Sequence, residues 1–227
     1  MIGIISFPNF PALAPPSMQQ RFAMMANGRV AAIISATFLT IISSLGLYTN
    51  ISTILDNLKD TLTLAPYWWA WGIGGVIGSF SVGYFIDRTA RPKMLMAGII
   101  AIMALAMICI PFALSFPMRS FLPFVLWGAM GWASQAPQQH ERLRYQPEHD
   151  AAVVALNSSA NYLGSAVGSS LGGIVLRAGL APSSLPFAAS CLVLAALLVQ
   201  CLIMFSKKVS AYQNLRNKLI YEKQFFL

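Results

Sequence analysis

Long apolar runs alternate with short charged stretches along most of the chain. Six of the runs contain no Asp, Glu, Lys, Arg or His. A helix of roughly 20 apolar residues crosses the about 30 Å of hydrocarbon in a bilayer, and every run reaches that length. The runs cover residues 30–55, 61–86, 94–118, 120–139, 151–176 and 178–206. The pattern therefore predicts an all-α integral membrane protein with a six-helix transmembrane bundle over residues 30–206.

The composition agrees with this class. Of the 227 residues, 57% are hydrophobic and only 10% are charged, whereas soluble domains carry about 25% charged residues. A soluble core has no place for six apolar runs of this length. We therefore expect membrane lipid to be a partner of the chain.

The basic residues indicate an orientation. A net charge of +8 is compatible with nucleic-acid binding, but the Lys and Arg residues are scattered through short loops and a tail, as the positive-inside rule describes. With both termini in the cytoplasm, only Lys59, Arg119 and Arg177 of the 15 basic residues fall outside. We therefore predict cytoplasmic termini and no nucleic-acid partner.

Two segments flank the predicted bundle. In residues 1–29 four prolines lie too close together for an uninterrupted helix, so we interpret this segment as the end of a preceding span, a Pro-rich linker and a cytoplasmic segment. Residues 207–227 form a basic cytoplasmic tail. The three cysteines lie inside predicted spans without metal-ligand spacing. We interpret them as packing residues and predict no metal and no cofactor.

Two predicted helices are rich in small residues at helical spacing. Small residues let helix backbones approach closely in a membrane, which makes Gly74, Gly78, Gly164, Gly168 and Gly172 candidates for helix packing. The sequences "GGVIGS" from Gly74 and "GSAVGS" from Gly164 align without a gap, in helices that cross the membrane in opposite directions. This predicts two inverted three-helix repeats, a pattern typical of secondary transporters.

The spans hold uncharged polar groups and no midplane acid or base. An ionisable residue at that depth marks a functional site by default, so its absence argues against an enzyme and against a proton relay within these residues. Amides, hydroxyls and aromatic rings remain. They either line a substrate path or bond to neighbouring helices and to their own backbone. The candidates are Thr37, Thr40, Ser44, Tyr48, Trp127, Trp132, Gln135, Asn157 and Asn161.

The turn "GYFIDRTARPK", residues 83–93, concentrates charge between two apolar runs. A carboxylate at the membrane surface can bond a basic neighbour and point at the positive N-terminal end of another helix. We interpret the turn as a latch of a cytoplasmic gate; the alternative is an ordinary positive-inside loop. The residues of this gate motif are Gly83, Asp87, Arg88, Arg91 and Lys93.

The spacing of the gate motif resembles the loop signature of the major facilitator superfamily. Ala90 stands where that family favours Gly, and Pro92 stands where a second basic residue is expected. A further stretch, "QPEHDAAVVALNSSANYLGSAVGSSLGGIVL" from Gln146, resembles the eleventh helix of the drug:proton antiporter branch, and within it the sugar- and purine-efflux permeases. In that pattern a second Asn falls at Tyr162, whereas here Asn161 comes one place earlier, about 100° around the helix.

The resemblance implies the C-terminal six-helix half of a twelve-helix major facilitator fold, either as a fragment or as a half-size protein. The implied function is proton-coupled efflux, as an antiporter, of a small uncharged or weakly polar compound by alternating access in a bacterial inner membrane. The implied partners are lipid, the small-molecule substrate and an N-terminal six-helix half or a second copy. The alternative is a non-transporting truncated membrane protein or a partner-binding subunit.

Overall fold

A computed structural model of the chain describes residues 26, 28–56, 64–89, 91–116, 119–137 and 150–205, the side chains of 150–153 excepted. All regular secondary structure in these ranges is helical. The helices are α1 (Gly28–Thr49), α2 (Ile51–Asp56), α3 (Ala65–Thr89), α4 (Pro92–Ala113), α5 (Phe121–Ala133), α6 (Asp150–Arg177) and α7 (Leu185–Phe205), with a 3-10 turn at Pro182–Ser184. The predicted Pro-rich linker, Ala90 of the turn, residues 138–149 and the tail lie outside the described residues.

Four of the described helical segments are long and apolar enough to cross a membrane. They are α1, α3, α4 and Pro182–Phe205, so the prediction of an all-α protein with several membrane-spanning helices is confirmed at this level. The six-span count stays a prediction, because α5 has only 13 residues and α6, although it has 28, is rich in Gly, Ser and Asn.

The fourth predicted run, 120–139, is interrupted in the structure. α5 ends at Ala133, and the backbone N–H of Ser134 still donates to the carbonyl of Met130 at 3.0 Å. After this one-residue turn, residues 135–137 are helical again. Pro137 has no N–H to donate to the carbonyl of Ala133, so one helical hydrogen bond is missing at the interruption. The apolar run therefore predicts that this segment lies in the membrane, but it does not predict where the helix is interrupted.

The spatial order of the helices differs from their order in the chain. α1 packs against α6 and α7, α4 packs against α7 and α5, and α5 packs against α3. The Nε1 of Trp127 in α5 also donates to the Oγ of Ser44 in α1 at 2.8 Å. α1 and α5 therefore face each other, and α3 and α6 lie at the two ends of the row.

Close backbone contacts occur where the sequence has small residues. A methyl group added to Gly78 would collide with the carbonyl of Ala129 in α5, and one added to Gly168 would collide with the carbonyl of Ile42 in α1. Only a residue without Cβ allows this approach. Gly74 meets the backbone of Val125 in the same way. Gly164 instead lies against the side chains of Ile41 and Phe38, and Gly172 lies against the side chain of Asn50 and the carbonyl of Gly46.

The core joins α1, α4, α5 and α7. Met103, Met107, Phe124 and Val193 are almost completely buried in it. By contrast, α3 and α7 expose large apolar side chains on their outer faces, with Phe80 at 85% and Leu202 at 72% exposure. Exposed apolar area on this scale marks contact with a membrane or a partner rather than with water.

Candidate functional site

A cavity of about 280 Å³ lies between α1, α3, α6 and the segment that contains α5 and Gln135. Its volume is just below the usual range of about 300–1,000 Å³ for small-molecule sites. The lining residues are Thr40, Ile41, Ser44, Leu45, Trp71, Gly131, Trp132, Gln135, Asn161, Tyr162 and Ser165. The cavity is therefore of a size for a small ligand and is lined by both polar and aromatic groups.

The hydroxyl groups of α1 that line the cavity are already engaged. Thr40 Oγ1 donates to the carbonyl of Ala36 at 2.7 Å. Ser44 Oγ accepts from Trp127 Nε1 at 2.8 Å. Both hydroxyls keep further hydrogen-bonding capacity, because a hydroxyl has one donor and two acceptor positions.

Two polar atoms at the cavity residues have no hydrogen-bond partner among the described residues. They are Trp71 Nε1, a donor, and Asn161 Oδ1, an acceptor, and both are buried. The Nδ2 of Asn161 donates to Gln135 Oε1 at 3.4 Å. A buried polar atom without a partner costs free energy, roughly 1–3 kcal/mol.

Aromatic rings form one side of the cavity and extend behind it. The ring centroids of Trp71 and Trp132 lie 6.1 Å apart, and those of Trp71 and Tyr48 lie 4.6 Å apart. Tyr48 also contacts Trp68 edge to face, with centroids 4.2 Å apart. We call Tyr48, Trp68, Trp71 and Trp127 the aromatic cluster. The aromatic cluster fills the space behind the cavity, near the start of α3 and the end of α1.

The described lining contains no Asp, Glu, Lys, Arg or His. Within the described part of the chain, no three His, Cys, Asp or Glu side chains lie together as a metal site would require. What the lining offers is hydrogen bonding and ring contacts. An unpaired charge would be poorly accommodated, because moving an ion out of water costs far more than moving a neutral polar group.

Of the nine substrate-path candidates, the structure brings five to this cavity. They are Thr40, Ser44, Trp132, Gln135 and Asn161. Trp71, Tyr162 and Ser165 also line it, although sequence reasoning did not select them. Ser165 follows Asn161 at helical spacing, which could have indicated it. Trp71 follows Tyr67, Trp68 and Trp69, a grouping typical of an aromatic belt at the membrane interface, yet of these four only Trp69 is largely exposed.

Four candidates lie away from the lining. Thr37 is fully buried, and its hydroxyl donates to the carbonyl of Ile33 at 2.9 Å. Tyr48 and Trp127 belong to the aromatic cluster behind the cavity. Asn157 does not line the cavity, and its Oδ1 has no hydrogen-bond partner among the described residues. Helical spacing alone placed Thr37 and Asn157 on the polar face; the packing of α1 and α6 turns them away.

The gate motif lies at the end of α3 and the start of α4. The guanidinium of Arg88 donates to the hydroxyl of Tyr84 and lies 5.7 Å from the centre of its ring. Arg91 contacts the sulfur of Met94 at 3.7 Å. Asp87 is exposed and makes no ion pair with any residue that the structure describes. The latch therefore stays a prediction.

Two further residues of the motif differ in their surroundings. A methyl group on Gly83 would have open space around it, so no described helix approaches this glycine closely. The backbone carbonyl of Lys93 accepts a hydrogen bond from Gln200 Nε2 at 3.3 Å, which ties the start of α4 to α7. The side chain of Gln200 is almost completely buried.

The chain was compared with known proteins. No family model matches it. It is 27% identical to the inner membrane transport protein YdhP of Escherichia coli strain K12 over 80% of the chain and 46% of the relative. It is 24% identical to the uncharacterized MFS-type transporter YbcL of Bacillus subtilis strain 168 over 88% of the chain and 52% of the relative.

The chain thus spans about half the length of the curated relatives that it matches. Both relatives carry the names of membrane transport proteins, and neither is named as an enzyme. One of them is named as an inner membrane protein, which agrees with the apolar helices of this chain. The chain is therefore similar, over at least four-fifths of its length, to membrane transporters that include one of the major facilitator type.

Proposed function

We propose that the chain forms one six-helix half of a major facilitator transporter, the C-terminal half, and that it contributes its cavity to the path of a small neutral compound. The observation that carries this proposal is a cavity of neutral polar and aromatic groups between two sets of helices. The names of the relatives support a transport role and do not favour a non-transporting subunit.

The pattern of helix contacts supports an inverted repeat. Exchanging α1 with α5, α3 with α6 and α4 with α7 converts every major contact into another one. The α1–α6 contact becomes α5–α3, the α1–α7 contact becomes α5–α4, and the α4–α7 contact is unchanged. Two three-helix units related by a pseudo-two-fold axis have this symmetry, as in transporters built from repeats.

The glycine contacts support the same repeat in register. Gly78 and Gly168, 90 positions apart, meet the carbonyls of Ala129 and Ile42, which are 87 positions apart. Ser44 and Gly131 are separated by the same 87 positions, and a methyl group on Gly131 would lie 3.7 Å from Ser44 Oγ. In the proposed repeat, Ser44 and Gly131 are equivalent residues that lie against each other at the cavity wall. Transporters of this kind bind substrate at the repeat interface near the middle of the membrane.

A second bundle is proposed to cover the open side of the cavity. α6 exposes a stripe of small and polar side chains that does not suit lipid: Ser159, Tyr162, Ala166 and Ser170. The relatives are about twice as long as the matched region, which gives room for another six helices. Proton coupling and efflux rest on the resemblance alone. The coupling carboxylate would belong to the other half, since the described cavity lining has none.

The gating role of Asp87 is tested in a chain completed with an N-terminal half. The completed protein is placed in vesicles with a preformed proton gradient, and a pH-sensitive dye reports whether a panel of small neutral compounds dissipates the gradient. Neutral compounds that merely diffuse across the membrane carry no proton and give no signal. We expect Asp87→Asn to slow dissipation several-fold, because the amide forms weaker hydrogen bonds with cationic groups than the carboxylate does.

The matched control is Asp56→Asn, an exposed carboxylate at the end of α2, which should leave the rate unchanged. Equal rates for Asp87→Asn and the parent protein would refute the gating role. Gradient-driven transport by the 227 residues alone would refute the assignment of this chain as one half of a transporter.

A further inference from the structure

We infer that the Trp132 ring is the platform on which a flat, neutral ring of a ligand stacks in the cavity, and that Gly75 keeps this platform in place. Trp132 contacts the ligand, and Gly75 acts through Trp132 as a positioning residue. The inference rests on the proposed transport function and names the substrate class of the same site, which is uncharged aromatic compounds.

Trp132 has free ring surface where it lines the cavity. The residue lies near the end of α5 and is 51% exposed. No described lining residue carries a charge, so hydrogen bonds and ring contacts are the interactions that the lining offers. Aromatic rings attract one another in stacked or edge-to-face arrangements beyond what the burial of apolar area contributes. A flat aromatic ring therefore gains more from Trp132 than a saturated ring of similar size.

Gly75 in α3 leaves the space that the Trp132 ring occupies. A Cβ atom added to Gly75 would lie 2.6 Å from Cδ1 and 2.9 Å from Nε1 of Trp132, well inside the about 3.5–4.0 Å of an ordinary contact between carbon atoms. Gly74 and Gly78 differ, because a methyl group there would meet the backbone of α5. A methyl group at Gly75 therefore displaces a side chain, whereas one at Gly74 or Gly78 pushes two helices apart.

A second ring of α3 also holds the platform. The ring centroids of Trp71 and Trp132 lie 6.1 Å apart, and the ring planes are inclined by 64°. A side chain that its neighbours already hold loses little conformational freedom when a ligand binds. Trp71 and Gly75 both belong to α3, so α3 sets the position of a platform that α5 carries.

Two probes of similar size test the platform. Benzyl alcohol and cyclohexylmethanol are both neutral and carry the same hydroxymethyl group, but only benzyl alcohol has a flat aromatic ring. The saturated ring is the more apolar of the two, so hydrophobic burial alone would favour cyclohexylmethanol. Stacking on Trp132 predicts the opposite order of affinity.

Binding is followed by fluorine NMR of the fluorotryptophan-labelled 227-residue chain in lipid nanodiscs. The resonances of Trp69, Trp71 and Trp132 are assigned from Trp→Phe variants. Trp69 is 72% exposed and lies outside the cavity lining, so its resonance reports probe that merely dissolves in the lipid. We expect benzyl alcohol to shift the Trp132 resonance saturably, with an affinity roughly fivefold higher than that of cyclohexylmethanol.

Variants then assign the roles of the two residues. Gly75→Ala should shift the Trp132 resonance without any ligand and weaken benzyl alcohol binding roughly fivefold. The matched control is Gly72→Ala in the same helix, where no atom lies within 4 Å of an added methyl group. It should leave both the resonance and the affinity unchanged.

A double variant shows whether Gly75 acts through Trp132. Trp132→Leu removes the aromatic ring and should weaken benzyl alcohol binding to a similar extent, followed on the resonance of Trp71, which lines the same cavity. Adding Gly75→Ala to Trp132→Leu should then cause no further loss, because the ring that the methyl group displaces is already gone.

Several results would overturn the inference. Equal or tighter binding of cyclohexylmethanol would exclude an aromatic platform. A Trp132 shift that grows without saturation, as expected for Trp69, would show that the ring meets lipid rather than a bound ligand. Additive losses in the double variant, a Gly75→Ala chain that does not fold, or equal effects of Gly72→Ala and Gly75→Ala would remove the positioning role of Gly75.

The test of the platform is separate from the test of transport, since it needs no proton gradient and no second half. A chain that binds benzyl alcohol as expected, but whose completed form never moves protons, would contradict the transport function and leave the platform standing. Gradient-driven transport by the completed protein without a saturable shift at Trp132 would do the reverse.

Discussion

Individual polar side chains carry much of the specificity of packing between these helices. Ser44 accepts a hydrogen bond from Trp127 at 2.8 Å, and Ser43 donates to the carbonyl of Ala189 at 2.6 Å. These bonds join α1 to α5 and α1 to α7, respectively. Hydrocarbon around a bundle offers no competing hydrogen bonds, so a buried indole N–H or hydroxyl must find its partner inside the protein.

The bond between Trp127 and Ser44 has a measurable effect on stability. We expect Ser44→Ala to lower the free energy of unfolding by about 1–2 kcal/mol, because it leaves the buried indole N–H without a partner. Trp127→Phe should cost at least as much, since it also removes ring volume. The double variant should lose less than the sum of the two, measured by detergent-induced unfolding.

Ser158→Ala is the control for this measurement, because the Ser158 hydroxyl bonds only to its own helix, at the carbonyl of Val154. Its free energy of unfolding should stay within about 0.5 kcal/mol of the parent. Additive losses for the two single variants would show that the indole and the hydroxyl do not act as a pair.

At the scale of the helices, the pairs α3–α5 and α1–α6 are built on backbone approach. In the α1–α6 pair, Gly168 lies against the backbone of Ile42 with no room for a Cβ atom. Lipid chains are as apolar as leucine, so close packing rather than exclusion from water drives such pairing. Gly78 and Gly168 align in the sequences of α3 and α6, and each meets a backbone carbonyl of the neighbouring helix, so the sequence similarity coincides with a similarity of packing.

Alanine substitutions at two positions of α6 distinguish the effect of helix packing on stability from the effect of helix propensity. Gly168→Ala should destabilise the chain by about 1–3 kcal/mol, because its methyl group overlaps the backbone of α1. Gly173→Ala adds the same methyl group where no atom lies within 4 Å, and should be neutral or slightly stabilising, since Ala favours helix over Gly by about 1 kcal/mol. Equal losses in unfolding free energy would mean that α1 and α6 do not approach as described.

At the scale of the whole molecule, the described helices form a row whose ends are α3 and α6, and both present exposed faces next to the cavity. The chain covers about half of each relative. Under the proposed function, a complete transport path combines this cavity with groups from a second bundle, including the charges that the described lining does not supply.

The orientation of the bundle is tested by cysteine labelling. Thr89→Cys and Ser115→Cys place exposed thiols at the C-terminal ends of α3 and α4 without altering any Lys or Arg. In a background with Cys109, Cys191 and Cys201 replaced by alanine, a membrane-impermeant maleimide added outside intact cells should label position 115 and not position 89. The positive-inside distribution is the physical reason.

Labelling of position 89 alone would show that the topology is the opposite of the predicted one, and the gate motif would then not lie in the cytoplasm. Permeabilised cells provide the control, because both thiols should react once the membrane is open. Equal labelling of the two positions in intact cells would contradict an antiparallel arrangement of α3 and α4.

Much of the helix content could be predicted from the sequence, and the cavity only in part. The apolar runs predict α1, α3, α4 and α7 to within seven residues at each end, and the predicted first span continues through Asn50 into α2. Side chains were harder to place, because a face defined by helical spacing does not say which neighbour it meets. Thr37 and Thr40 lie three positions apart in one polar row, yet only Thr40 lines the cavity.

The sequence by itself determined the class of the protein, which helices are rich in small residues, and which uncharged polar residues lie in the predicted spans. These follow from hydropathy, from glycine spacing and from the distribution of charge, all of which are local properties. Tertiary structure alone decided that Trp71 and Asn161 line the same cavity, and that their hydrogen-bonding atoms lack partners. Trp71 in α3 and Asn161 in α6 reach one cavity because α3 packs on α5 and α6 packs on α1, and that pairing depends on backbone approach between distant helices.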